Sequence, residues 1–84
     1  MQFDVGDKVV HVDLVTYPGL HNVYMDIKNI CVDADKNVMR EGIVIAYFIT
    51  LNHQMLTVKF NDGSTVTSVA AYFIPVEVLN NECH

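Results

Sequence analysis

The chain has 84 residues, 51% of them apolar and 18% charged, and ten acidic against five basic side chains leave a net charge of −5. That length admits one hydrophobic core rather than two, and the acidic balance disfavours nonspecific binding to a nucleic-acid backbone while favouring basic protein partners. No apolar run reaches membrane-spanning length, nothing at the N-terminus reads as a signal peptide, and the two isolated cysteines, Cys31 and Cys83, fit a cytoplasmic protein with reduced thiols better than a secretory disulfide framework.

Met1–Asp4 is a lead-in whose Phe3 closes one end of the core, and Val5-Gly6-Asp7 is a turn. Lys8–Val15 alternates Val10, Val12 and Leu14 against Val9, His11, Asp13 and Val15, which predicts a first strand with the Val10 side buried. Tyr17-Pro18-Gly19 marks a loop. Val23–Val32 is favoured as a β-ribbon, with a short helix through Met25, Lys28 and Val32 as the alternative. Asp33–Asn37 is a polar turn, after which Val38 and Met39 re-enter the sheet.

The centre of the chain is Glu41–Pro75. β-branched and aromatic residues dominate Glu41–Thr50, so a strand is expected with Ile43, Ile45, Tyr47 and Ile49 on one face and Val44, Ala46 and Phe48 on the other. After a polar break at Leu51–Gln54, Met55–Phe60 buries Leu56, Val58 and Phe60 on one face. Asn61-Asp62-Gly63 is the strongest turn signal, and an Asp62-Gly63 two-residue hairpin returns the chain through Ser64–Val69. Ala70–Phe73 is too short for anything beyond a turn or one 3₁₀ turn. Pro75 lacks a ladder donor and belongs at the start or edge of a final strand, Val76–Leu79. Residues 1–79 thus form a single domain, and Asn80–His84 is expected to fray, with a Cys31–Cys83 bond left open because spacing does not fix the approach of the two Cβ atoms.

Phe3–Val10, Gly42-Ile43-Val44, Leu56–Ser64 and Tyr72–Pro75 together resemble the class of small SH3-like barrels, including Tudor-like and KOW-like domains. The resemblance covers most of the chain and implies a mostly β fold, a partly open barrel of about five strands, with Val15–Arg40 as an enlarged early loop or hairpin. It also implies a range of uses: methylated-peptide reading through an aromatic cage in Tudor-like modules, RNA or DNA association in KOW-like ones, and assembly or inhibition elsewhere in the class.

Specific chemistry is sparse. A cage needs ring faces converging on one cation. Tyr47, Phe48, Tyr72 and Phe73 are the best set available, but neighbours on a strand point to opposite faces. Asp33, Asp35, Asn37 and Glu41 sample the spacing of a calcium loop, yet Val38 and Val44 stand where its glycine and bidentate acid belong. Cys31, Cys83, His21, His53 and His84 show no zinc-knuckle spacing, and His11 and His53 lack a positioned carboxylate for acid–base work. Neither a phosphate loop nor a catalytic serine turn occurs, so no catalytic residue, cofactor or metal is assigned. Lys36 and Arg40 form the one local basic pair, offset by Asp33, Asp35 and Glu41.

The favoured function is therefore a non-catalytic protein-interaction module, an adaptor or an inhibitor of a basic or nucleic-acid-binding protein; a compact acidic chain also suits a virus- or plasmid-encoded inhibitor. Tyr17, Tyr24, Asp33, Asp35 and Glu41 are the expected protein-binding residues, with Tyr47 and Tyr72 as an aromatic surface. An edge strand at Met55–Phe60 or Val76–Leu79 adds to a partner sheet, or self-pairs to give a homodimer. The alternative is an RNA- or DNA-associated barrel.

Overall fold

The structure is a computed structural model that describes residues 2–13, 23, 27–32 and 38–82. Five strands form one antiparallel sheet: β1 (Lys8–Asp13), β2 (Val38–Thr50), β3 (His53–Phe60), β4 (Thr65–Val69) and β5 (Phe73–Pro75). Their order is β4-β3-β2-β1-β5, so β4 and β5 are free ends and the sheet is not closed into a barrel. Two short helices complete the described fold, α1 (Ile27–Val32) and α2 (Val76–Glu82), and one 3₁₀ turn, Ala70–Tyr72, connects β4 to β5.

The alternation in β3 does what period-two patterning requires: Leu56, Val58 and Phe60 are buried on one face. They meet Phe3, Val9, Val44 and Phe73 in the first of two core clusters. β1 departs from the expected one-sided burial. Val9 joins that cluster, while Val10 and Val12 enter a second one with Val23, Ile27 and Ile74 on the opposite face. α1 and α2 cover this second face, with Cys31, Val76, Val78 and Leu79 packed against it.

Two segments therefore differ from the sequence reading. Within Val23–Val32, the described residues 27–32 are helical, and Ile27 and Cys31 fall four apart on the side turned to the core. Val76–Leu79, expected as the last strand, is the start of α2, which continues through Glu82 where fraying was expected. Val76 and Leu79 satisfy a helical spacing as well as a short apolar run does, and the bare face of β1 and β5 supplies the packing that decides between them. Pro75 does lie on an edge strand, β5.

The β3–β4 turn is one residue longer than the expected two-residue loop. Phe60 N–H donates to Ser64 O (2.9 Å), Gly63 N–H donates to Phe60 O (3.0 Å), and Gly63 takes φ +86°. This is a three-residue loop closed by a left-handed glycine, a standard variant of the tight hairpin. Asp62 caps it by accepting from both the backbone N–H and the hydroxyl of Ser64.

Candidate interaction surface

β2 is longer than the strand beside it. β1 pairs with β2 from Asp13↔Val38 to Lys8↔Ile43, and the turn before β1 takes one more residue: Gly6 N–H donates to Val44 O (2.8 Å) and Val44 N–H to Asp7 O (3.0 Å). Beyond that point, among the described residues, β2 pairs with β3 alone, through Ala46↔Thr57 to Thr50↔His53. This stretch of the two strands is the arm: β4 flanks β3 as far as Met55↔Val69, and only Ile49-Thr50 and His53-Gln54 extend past it to a turn at Leu51-Asn52. Close to that turn, where Gln54 is registered with Ile49, the Gln54 side chain donates to Phe3 O (2.8 Å) and accepts from Phe3 N–H (3.0 Å).

A bulge shapes the surface of this arm. The register runs Val44↔Val58 and then Ala46↔Thr57, which leaves Ile45 as the extra residue. The four residues expected on one face, Ile43, Ile45, Tyr47 and Ile49, are thereby divided. Tyr47 lies opposite core residue Leu56, whereas Ile43 lies opposite exposed Lys59 on the other side of the sheet. Phe48, opposite Met55, follows Ile43 onto that second side. Both faces of the arm are consequently apolar and exposed: Ile43 and Ile45 at 45%, Tyr47 at 44%, Phe48 at 49%, Ile49 at 61% and Leu51 at 96%. From Gly42 to Val58 the sequence contains no Asp, Glu, Lys or Arg.

Of the residues expected to bind protein, Tyr17, Tyr24, Asp33 and Asp35 lie outside the described residues. Glu41 is exposed in β2, in register with Val10. Tyr47 is on the arm, but Tyr72 is half-buried against the second core cluster. The four rings weighed as a cage do not converge, since Phe73 is buried in the first cluster and Tyr72 packs on the second. Nor is either expected docking edge available. β3, which contains Met55–Phe60, is paired on both sides, and Val76–Leu79 is helical.

Lys36, the other half of the expected basic pair, lies outside the described residues, and Arg40 pairs with the β3–β4 turn. Its guanidinium lies 3.9 Å over the Phe60 ring and donates to Asp62 Oδ2 (3.2 Å) and Ser64 Oγ (3.0 Å). His11 continues the stack, with its ring centroid 6.3 Å from that of Phe60 and 5.1 Å from that of Phe73. Asp62 is held below the ordinary carboxylate range, first by the Ser64 hydroxyl, then by the Ser64 backbone N–H, with the charge of Arg40 a smaller contribution. This column closes one end of the core.

Cys31 is disulfide-bonded, which corrects the expectation of two reduced thiols and removes its thiolate from any zinc set. Cys83, the other cysteine of the sequence, lies outside the described residues. No group of three or more metal-ligating side chains occurs among the described residues. An open cleft of about 590 Å³ beside α2 is lined by half-buried Pro75 and Val76 and by exposed Asp7, Lys8, Glu77, Asn80 and Asn81. It offers no desolvated polar group to orient a ligand. No described helix is long and apolar enough to cross a membrane. Compared with known proteins, the chain matches no family model, no curated protein and no solved structure.

Proposed function

We propose that this chain is a non-catalytic protein-interaction module whose docking surface is the β2–β3 arm rather than the early excursion. The observation that carries the reading is the exposure of Ile45, Tyr47, Phe48, Ile49 and Leu51 along the uncharged outer stretch of β2, with Ile43 exposed just before it. Single exposed apolar residues are ordinary, but this many along one strand, on both of its faces, support a contact surface. Its aromatic members have the size and low rotamer freedom of interface anchors. The hydrogen bonds of Gln54 to Phe3 tie the arm near its turn to a core residue.

An SH3-like scaffold is the finer reading of the fold. The strand order β4-β3-β2-β1-β5, with a 3₁₀ turn leading into a last strand that returns to β1, supports it. In that scaffold the arm extends the hairpin between the second and third strands. The neutrality of the arm argues against charge as the source of affinity: the net charge of −5 steers encounters from a distance, and apolar burial holds the complex.

The test is quantitative binding of the immobilised chain in three forms: wild type, Phe48→Lys on the arm and Glu77→Gln on α2, each checked for an unchanged circular-dichroism spectrum. Saturable binding to any protein, this chain included, should be lost in Phe48→Lys and kept in Glu77→Gln. Equal binding by all three forms would refute the assignment of the surface.

A further inference from the structure

We infer that the occupant of the arm is a second copy of this chain, paired antiparallel along the outer edge of β2 in a two-fold symmetric dimer. This rests on the arm being the docking surface and adds what docks there.

Main-chain geometry comes first. Among the described residues, no strand is registered against Ala46–Thr50 on the side away from β3, because β1 ends at Ile43 and the Gly6–Asp7 turn at Val44. Alternate residues of that stretch therefore direct N–H and C=O groups toward an open edge. Monomeric proteins guard such edges with Lys, Pro or inward charges. Ala46–Thr50 has none of these, and beyond the bulge at Ile45 its register with β3 is regular.

Charge then selects the partner. A basic protein would gain nothing from a surface without acids, whereas a copy of an acidic chain would ordinarily be repelled. The uncharged run from Gly42 to Val58 keeps formal charges off the paired strands, and the nearest acids, Asp4 and Asp7, lie at the ends of the pairing, so self-association carries less of the penalty that the net charge of −5 imposes.

Side-chain pairing agrees with a dimer. Edge pairing centred on Phe48 sets Tyr47 of one copy beside Ile49 of the other on one face and the two Phe48 rings together on the opposite face, all exposed in the single chain. The pairing is also self-complementary, as a two-fold axis demands. Antiparallel alignment centred on Phe48 places Leu51 of one copy beside the Val5-Gly6 turn of the other, where Val5 is itself an exposed apolar residue. Leu51, at 96% exposure, thereby acquires a neighbour it lacks in the single chain.

Light scattering coupled to gel filtration, over a hundredfold concentration range, should give twice the 9.5 kDa chain mass at the upper end and dissociation on dilution. Hydrogen exchange should show the amides of Ala46–Thr50 slowing as the dimer forms. Tyr47→Lys and Ile49→Lys should each weaken association by about tenfold or more while the circular-dichroism spectrum stays unchanged. A wild-type chain that stays monomeric throughout overturns the inference, and so does a dimer insensitive to both lysine variants. If the monomeric wild type still binds another protein in a Phe48-dependent way, the second-copy assignment falls and the arm remains a docking surface; if Phe48→Lys changes nothing either, both readings fall.

Discussion

Gly42 lies across from Phe60 in the β2–β3 ladder, and a Cβ built on it would stand 2.6 Å from Val58 Cγ1 and 2.7 Å from the carbonyl oxygen of Lys59. A side chain can turn aside, but the Lys59 carbonyl belongs to a strand held from both sides. Gly42→Ala is therefore expected to destabilise the fold by about 1–3 kcal/mol, the range for overpacking a close-packed interior. Urea denaturation should show a lower midpoint with an unchanged slope; a midpoint equal to wild type would mean that the ladder opens at no cost.

The tip of the arm makes the opposite prediction. Leu51 takes φ +48° with its side chain almost wholly in solvent, so its Cβ suffers the left-handed clash and gains no burial in return. Leu51→Gly removes that clash at the cost of some chain entropy, with an expected net gain of up to about 1 kcal/mol. If Leu51 is retained for contact, the same variant should associate more weakly. Thermal melting at a dilution where the chain is monomeric, set beside the dimer dissociation constant of the same variant, checks both halves. A loss of stability at that dilution would show that the tip is not strained.

The β2–β3–β4 meander was legible because three signals agreed: alternation of Leu56, Val58 and Phe60, β-branched composition, and the turn at Asn61-Asp62-Gly63. Two features were not. The bulge at Ile45 has no side-chain signature, since every residue around it is a good strand former, yet one inserted residue reverses the face of everything beyond it. α2 was missed because Val76–Leu79 suits either period, and the bare face of β1 and β5 that selects the helix exists only after folding. The binding residues were sought in polar, turn-rich sequence. The better signal was an absence: the stretch from Gly42 to Val58 without a charge, too long to be buried on both faces in so small a domain.

At the β3–β4 turn the Ser64 hydroxyl is the largest cause of the depressed Asp62 pKa. A carboxylate whose folded pKa is lowered stabilises the fold above its unfolded value, near 3.8, and the contribution disappears as pH falls through the lower folded value. Ser64→Ala should return Asp62 toward 3.8, and Arg40→Gln should raise it less, because the charge of Arg40 is a smaller contribution at an exposed pair. Carboxyl chemical shifts followed from neutral pH into acid read both values directly. A larger rise in Arg40→Gln than in Ser64→Ala would mean that charge, rather than the hydrogen bonds of the turn, sets the Asp62 titration.

The disulfide at Cys31 divides the molecule into parts with different redox dependence. Cys31 sits in α1 against the second core cluster, while the first cluster, Phe3, Val9, Val44, Leu56, Val58, Phe60 and Phe73, does not include it. Breaking the bond frees the unfolded chain and loosens the hold of α1 on Val10, Val12 and Ile74, a loss of about 2–4 kcal/mol for a bond of this kind. Reductant should therefore lower the melting temperature by several degrees, and Cys31→Ser should reproduce the lower value without responding to reductant. At 25 °C the far-ultraviolet sheet signal should persist, since the β2–β3–β4 ladder is built on the first cluster. Protection of the Ile27–Val32 amides from hydrogen exchange should fall before that of Leu56 and Val58; simultaneous loss at both sites would show that the two clusters unfold as one.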